Sequence, residues 1–208
     1  MRRLSAVVAF LVMGVFLSSA ADAQWGRRAN RVQGLELFGG GGVNFCLESG
    51  DANCNDLDPN ADIFFGGGYR FSPVFGIYLD GSYGWLTGDH GLRDVSTFYL
   101  MPTFRGFAVL RDAELYGGLG FGYSQMSMDI GAAESSWSSW TNLKITVGGD
   151  IQISRNLFIG VNIDYIIHFD ETGKTCTDYD SGDSKCESNE FDVNDLIQTT
   201  AFVKYRFN

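Results

Sequence analysis

The chain has 208 residues and carries 25 acidic against 15 basic side chains, which gives a formal net charge of −10. It lacks a basic patch large enough to neutralise phosphates, which argues against nucleic-acid binding. Its 27 glycines, many of them in stretches with strand periodicity, are unusual for a soluble globular core.

The N-terminus has the organisation of an export signal. Two arginines precede an apolar run at residues 4–17, and small residues at A-x-A spacing end at Ala23. An apolar run of this length is too short to span a bilayer as a helix. We therefore expect residues 1–23 to be a signal peptide.

From residue 34 onward, apolar residues alternate with small or polar ones in eight successive stretches. Successive side chains of a strand point to opposite faces, so each stretch predicts a strand. The eight predicted strands are 34–45, 62–71, 74–85, 95–105, 114–125, 140–153, 157–167 and 196–207.

The connections between the predicted strands alternate in length. Those after the second, fourth and sixth strands are short, and those after the first, third, fifth and seventh are longer; 46–61 and 168–195 are the longest. This alternation is typical of bacterial outer-membrane barrels, whose long loops face outward. A soluble ligand-binding barrel is the competing fold, but it would place its apolar face inside.

The two alternating sets of residues discriminate between these folds, because one set is almost wholly aliphatic and aromatic and the other contains charges of both signs. The sequence therefore predicts an all-β fold, an eight-stranded antiparallel up-and-down transmembrane β-barrel at residues 34–208. We expect residues 24–33 to form a short periplasmic arm before it.

Two segments carry a resemblance to a known family. They are Leu-Tyr-Gly-Gly-Leu-Gly-Phe-Gly-Tyr at 115–123 and Ala-Phe-Val-Lys-Tyr-Arg-Phe at 201–207. They resemble the small OmpA/OmpX-like outer-membrane β-barrels of Gram-negative cells. The resemblance implies contact with outer-membrane lipid and lipopolysaccharide, and insertion machinery that reads an aromatic residue at the end of the last strand. Here Asn208 follows that aromatic residue. We expect a monomer.

The lumen-facing set of residues contains five acids and five bases, with Asp62 near the loop end. An eight-stranded lumen is just wide enough for side chains to fill it, and a buried charge without a partner is costly. We therefore predict an ion-pair network that closes the lumen, with a narrow low-conductance channel as the alternative. The network residues are Glu36, Arg70, Asp80, Arg105, Glu114, Lys144, Asp150, Asp164, Lys204 and Arg206.

Four cysteines form two local pairs in the predicted outer loops: Cys46 with Cys54, and Cys176 with Cys186. Export through an oxidising compartment favours disulfides, and of three possible connectivities we expect the local one. Metal ligation is the alternative. Neither pair has C-x-x-C spacing, however, and no histidine lies inside either bracketed segment.

The outer loops are strongly acidic, with 16 acids against Arg93, Lys174 and Lys185. A solvated surface, divalent-cation bridging to anionic lipid and docking of a basic partner all fit this composition. Spacings such as Asp51-x-Asn53 resemble the start of a calcium loop, but Asp56 stands where that loop needs glycine. We expect no metal and no cofactor.

Enzymatic chemistry would need a general base near a nucleophile or an activated water. The two histidines are His90, in a loop, and His168, at the outer end of the seventh strand; a dyad of His168 with Ser181 or Ser184 stays open. We predict a non-enzymatic protein with no catalytic residues. Its expected role is membrane integrity, adhesion or recognition of an unknown extracellular partner. A channel and a lipid A-modifying enzyme are the alternatives.

Overall fold

The computed structural model describes residues 33–47, 60–87, 92–110, 112–130, 133–169, 172–178, 184–190 and 195–207. Within these ranges the strands are β1 Gly34–Leu47, β2 Asn60–Arg70, β3 Phe75–Thr87, β4 Leu92–Val109, β5 Ala113–Ile130, β6 Ala133–Gln152, β7 Leu157–Ile167, β8 Thr172–Asp178, β9 Ser184–Glu190 and β10 Asp195–Phe207. The described part of the chain contains no helix long and apolar enough to cross a membrane.

Eight of these strands close into an antiparallel barrel. The order is β1, β2, β3, β4, β5, β6, β7 and β10, each strand pairing with the next. β10 pairs back to β1, from Leu35 opposite Phe207 to Leu47 opposite Asp195. Every barrel strand therefore has two hydrogen-bonded neighbours, which removes the open edges of the sheet. The predicted eight-stranded antiparallel barrel is confirmed.

The alternating residues of each strand lie on opposite faces of the barrel wall, one facing outward and one facing the lumen. On β1, Leu35 and Leu37 are exposed while Glu36 and Phe38 are buried. β10 alternates in the same way along its length, with buried even-numbered positions and exposed odd-numbered ones from 199 to 207. The outward set is apolar, as a lipid-facing surface requires.

Aromatic rings collect on the outward face near the strand ends. At the end with the short turns, the Phe75 and Phe104 ring centroids are 5.4 Å apart, and Tyr205 and Phe207 meet edge to face at 4.7 Å. At the other end, Tyr83 and Trp85 meet edge to face at 4.8 Å. Such belts suit the two membrane–water interfaces.

The short turns are tightly organised. In the β2–β3 turn, the Ser72 hydroxyl accepts hydrogen bonds from the backbone N–H groups of Val74 and Phe75, at 3.3 and 2.9 Å. A serine side chain that bonds the backbone a few residues on stabilises a turn locally. Both chain ends of the barrel lie at this same end, which we assign to the periplasm because short turns face that side.

Three strands are at least six residues longer than predicted. β4 and β5 have 18 residues each and β6 has 20, whereas about 9–11 residues suffice to cross the membrane. The long connection predicted after the fifth strand is wrong, because β5 continues to Ile130 and β6 starts at Ala133. The strands are predicted from the apolar alternation alone. The β5–β6 hairpin continues through backbone hydrogen bonds beyond the point where this alternation ends.

The predicted loop at 168–195 is also partly wrong, because it contains β8 and β9. β8 pairs with the outer part of β6, from Ala133 opposite Thr177 to Ser138 opposite Thr172, and β9 pairs with β8. We call residues 125–130, 133–138, 172–178 and 184–190 the outer sheet. It runs in the order β5, β6, β8, β9 and extends the barrel wall on the long-loop side.

Candidate functional site

Three acids and three bases fill the periplasmic half of the lumen. We call Glu36, Arg70, Glu114, Asp150, Lys204 and Arg206 the inner network. Arg206 Nε donates to Glu36 Oε1 at 2.6 Å, and Arg206 Nη2 donates to Glu114 Oε2 at 2.8 Å. Arg70 Nη1 reaches the same Glu114 oxygen at 2.7 Å. Lys204 Nζ lies 2.7 Å from Asp150 Oδ2. The charges of the inner network balance.

A layer of aromatic rings covers the inner network. It consists of Phe38, Phe64, Tyr78, Phe107, Tyr116 and Phe202, and we call it the aromatic layer. The Phe38 and Phe64 rings stack with centroids 5.2 Å apart, and the Tyr78 hydroxyl donates to Glu36 Oε2 at 2.8 Å. The aromatic layer therefore packs as a hydrophobic cluster and is hydrogen-bonded to the inner network through Tyr78.

Glycines on neighbouring strands make room for these rings. A Cβ on Gly66 would lie 2.6 Å from the Phe38 ring, and one on Gly160 would lie 2.6 Å from the Phe202 ring. Real Cβ atoms do not approach other heavy atoms this closely. The lumen is packed as a core, with large rings fitted against positions that lack a side chain.

A second charged group lies on the far side of the aromatic layer. We call Asp62, Asp80, Arg105, Lys144 and Asp164 the outer network. Arg105 Nη2 is 2.7 Å from Asp80 Oδ1, and Lys144 also pairs with Asp80. Lys144 Nζ lies 3.8 Å from Asp164, and the Gln198 amide donates to Asp62. Three acids here face two bases.

All ten lumen residues singled out from the sequence are buried, each less than 5 % exposed. The structure divides them into the inner and outer networks. The sequence places Asp62 on the same face as Arg70 but near the loop end, outside the predicted network; the structure shows Asp62 two residues inside β2 and 3 % exposed. Its parity on β2, which matches that of Phe64 and Arg70, supports counting it with the lumen residues. The described lumen thus has six acids and five bases.

The predicted outer-loop site is described only in part. Cys176 stands directly opposite Cys186 in the β8–β9 pair, and Cys46 stands opposite Leu196. Cys54 lies outside the described residues, as do His90, Asp170, Ser181 and the acidic stretch 48–59. The disulfide pairing stays a prediction.

His168 lies half-buried at the outer end of the wall, next to the end of β7. Its ring centroid is 6.2 Å from that of Tyr99. Nearby, the Tyr165 hydroxyl donates to Asp195 Oδ2 at 2.5 Å. Ser184, one of the two serines left open as a dyad partner for His168, begins β9 on the outer sheet. The described residues hold no group of three or more His, Cys, Asp or Glu arranged to bind a metal ion.

Comparisons with known proteins agree with this architecture. Residues 7–207 match the family described as outer membrane protein beta-barrel domain. The Neisserial surface protein A crystal structure aligns with a TM-score of 0.58 at 11 % identity, covering 84 % of this chain and 97 % of that one. The outer membrane protein OprG of Pseudomonas aeruginosa aligns with a TM-score of 0.52 at 13 % identity, covering 84 % and 98 %. No curated protein sequence gives a significant match.

Proposed function

The chain belongs to the outer-membrane protein β-barrel family, and from that premise we propose that it is a closed barrel serving surface recognition or adhesion. The observation that carries this proposal is the outer sheet. β5 and β6 continue well past the length needed to cross the membrane, and β8 and β9 are added to them there. A protein that only sealed or strengthened the membrane would not need this extension.

The packing of the lumen supports a binding role over a transport role. The inner network, the aromatic layer and the outer network occupy successive levels, and their side chains are buried. A diffusing solute would have to displace rings and break several ion pairs. The narrow-channel alternative is therefore the weaker proposal.

The composition of the outer loops indicates the character of the partner. Their 16 acids against three bases give a strongly negative surface. Opposite charges accelerate encounter and favour matching partners, so we propose a partner with a basic surface. Such binding weakens as ionic strength rises. Outer-membrane lipid and lipopolysaccharide surround the barrel in this proposal, and the protein is a monomer.

Adhesion of cells that produce the protein tests this proposal. The comparison is between the full chain and a variant in which residues 171–191 are replaced by a short Gly/Asn turn, which removes β8 and β9 and leaves the barrel strands intact. Surfaces are coated with purified basic or acidic extracellular proteins. We expect cells producing the full chain to adhere to basic proteins at low salt. Cells producing the variant should adhere in numbers at least about tenfold lower.

Two results would contradict the proposal. Equal adhesion of both strains, with the variant shown to fold by heat-modifiable gel migration, would show that the outer sheet has no role in adhesion. Steady conductance of the purified full chain in a planar lipid bilayer would favour a narrow channel over a recognition protein.

A further inference from the structure

The outward face of the barrel wall changes from apolar to hydroxyl-bearing residues just beyond the outer aromatic belt. Phe98 on β4 and Tyr123 on β5, whose ring centroids are 6.4 Å apart, end the apolar set. Gln125 and Ser127 follow on β5 at the same parity as Tyr123. The Tyr123 hydroxyl donates to the exposed Gln125 carboxamide at 3.0 Å. Outward residues are apolar where they meet lipid chains, so the lipid chains end near Tyr123 on this strand.

A β-bulge continues this change on β6. Gly122 pairs with Asn142 but Ser124 pairs with Ser139, so β6 has one extra residue at this level. The extra residue reverses the parity of β6. Below the bulge its odd-numbered positions belong to the outward face, and beyond the bulge its even-numbered positions do. Bulges redirect the residues that follow them, and this one places serines on the outward face and Trp137 on the lumen-side face.

The register then aligns one row of residues across five strands of the outward face. Ser127 on β5 pairs with Ser96 on β4 and with Ser136 on β6. Lys174 on β8 stands between Ser136 and Ser188 on β9. We call Ser96, Ser127, Ser136, Lys174 and Ser188 the hydroxyl row. Four serines therefore flank one lysine.

The hydroxyl row rises out of the membrane from the outer aromatic belt. Its first member, Ser96, stands opposite Trp85, which meets Tyr83 edge to face in that belt. On β5 the row is four residues beyond Tyr123, which corresponds to about 10 Å along the barrel axis for strands tilted by about 40°. Lipid chains cover the wall below the row, so the headgroups joined to those chains lie beside it. In the outer leaflet of an outer membrane these headgroups are the sugars of lipopolysaccharide.

We propose that the hydroxyl row binds the sugars of lipopolysaccharide, and that Lys174 pairs with a sugar phosphate. Serine hydroxyls donate and accept hydrogen bonds, as sugar hydroxyls do, and lysine binds phosphate as a point charge. The next level of the same face has Asp129 opposite Glu134, so an anionic group is favoured at Lys174 and disfavoured beyond it. The proposal depends on the outer-membrane location and is independent of the basic partner proposed for the acidic loops.

Binding of three lipids to the purified full chain in nonionic detergent tests the proposal without any variant. The lipids are lipopolysaccharide, the same lipopolysaccharide after removal of its phosphates, and phosphatidylglycerol, which has a phosphate but no sugar. Native mass spectrometry measures each affinity. We expect lipopolysaccharide to bind at least about tenfold more tightly than phosphatidylglycerol, and its dephosphorylated form to have an intermediate affinity.

Lys174→Gln and Lys185→Gln form a matched pair that tests the phosphate contact. Both lysines belong to the outer sheet, but Lys185 stands opposite Thr177, at the parity of the lumen-side face. We expect Lys174→Gln to weaken the binding of lipopolysaccharide about tenfold and to leave the binding of the dephosphorylated form unchanged. Lys185→Gln should bind both lipids as the unmodified chain does.

Two double variants test the hydroxyls in the same way. Replacement of Ser127 and Ser136 by alanine removes two members of the hydroxyl row, whereas replacement of Ser135 and Ser139 by alanine removes two hydroxyls from the lumen-side parity of β6. We expect the first double variant to weaken the binding of both forms of lipopolysaccharide about fivefold, because hydroxyl contacts do not depend on the phosphates. The second should bind normally.

Heat-modifiable gel migration shows that each variant is folded. The proposal is overturned if phosphatidylglycerol binds as tightly as lipopolysaccharide, if the two lysine variants have equal affinities, or if the two double variants do. These results leave the adhesion of cells to basic proteins untouched, so failure here and failure of the proposed function are separate outcomes.

Discussion

Glu36 and Arg206 face each other across the seam where the first and last barrel strands pair, and Arg206 Nε donates to Glu36 Oε1 at 2.6 Å. The two residues are 170 positions apart in the sequence, so this bond forms only when the barrel closes. Arg206 also bonds Glu114 on β5 and lies 4.5 Å from the Phe158 ring centroid on β7. One side chain thus connects four strands at the periplasmic end.

Replacing this arginine should destabilise the closed barrel. Arg206→Ala leaves Glu36 and Glu114 buried with less compensating charge, and breaking a buried pair in this way costs about 3–5 kcal/mol. The free energy of unfolding by urea in lipid vesicles measures the loss. Arg155→Ala is the matched control, because that arginine is exposed in the β6–β7 turn and should change stability by less than about 0.5 kcal/mol. Equal losses would mean that the seam contact is not important for closure.

Removing Arg105 should weaken the barrel without opening it. Arg105 pairs with Asp80 at 2.7 Å and lies 4.6 and 5.0 Å from the Tyr78 and Tyr116 ring centroids. Arg105→Ala therefore removes one ion pair and three cation–π contacts, the third with the Phe38 ring at 5.1 Å, but the aromatic layer stays in place. We expect a lower unfolding temperature in detergent and no conductance in a planar bilayer. Stable single-channel currents from the variant would show that the arginine itself is the barrier.

Much of the fold could be predicted from the sequence because every second side chain of a membrane-spanning strand contacts lipid, so apolar residues recur at every second position. Within the membrane-crossing part, every outward position must be apolar, so the alternation from Leu35 to Phe45 identifies a strand and its faces at once. Beyond the membrane this requirement ends. The serine-rich start of β6 and the polar strands β8 and β9 carry no such pattern, and only the register shows that they pair.

The same difference explains what could be predicted of the lumen. Charged residues at inward parity can only be lumen residues, so the sequence places all ten of them there. Their partners depend on how the barrel tilts and closes. Asp62 illustrates the limit, because the second strand is predicted to begin at Asp62 and the predicted network leaves the residue out, whereas β2 in fact begins at Asn60 and Asp62 is buried. The division into a balanced inner and an unbalanced outer network needs the structure.

Filling a glycine position in the lumen should disrupt the aromatic layer. In Gly66→Ala the new methyl group would lie 2.6 Å from the Phe38 ring and 2.5 Å from the Leu79 carbonyl oxygen. Overpacking of this kind costs about 1–3 kcal/mol. Gly39→Ala is the control, since the nearest atom to its Cβ is 3.8 Å away. Urea unfolding of both variants tests this, and equal stability would mean that the layer can shift to accept the methyl group.

The cysteines should form two local disulfides. Residues directly opposite in antiparallel strands have Cα atoms about 4.5–5.5 Å apart, within the disulfide range, and Cys176 and Cys186 are opposite in β8 and β9. We expect non-reducing peptide mapping to find this pair and the Cys46–Cys54 pair. Crossed pairs or free thiols would contradict the prediction.

The two disulfides should also act on different segments. Closing a short loop restricts the unfolded hairpin far more than the barrel, whose strands pair independently of it. We therefore expect replacement of Cys176 and Cys186 by serine to speed proteolysis within residues 168–194 severalfold and to leave urea unfolding of the barrel unchanged. Replacement of Cys46 and Cys54 should instead expose 46–61. Cleavage of both segments at equal rates in either variant would show that the outer loops are held together by other contacts.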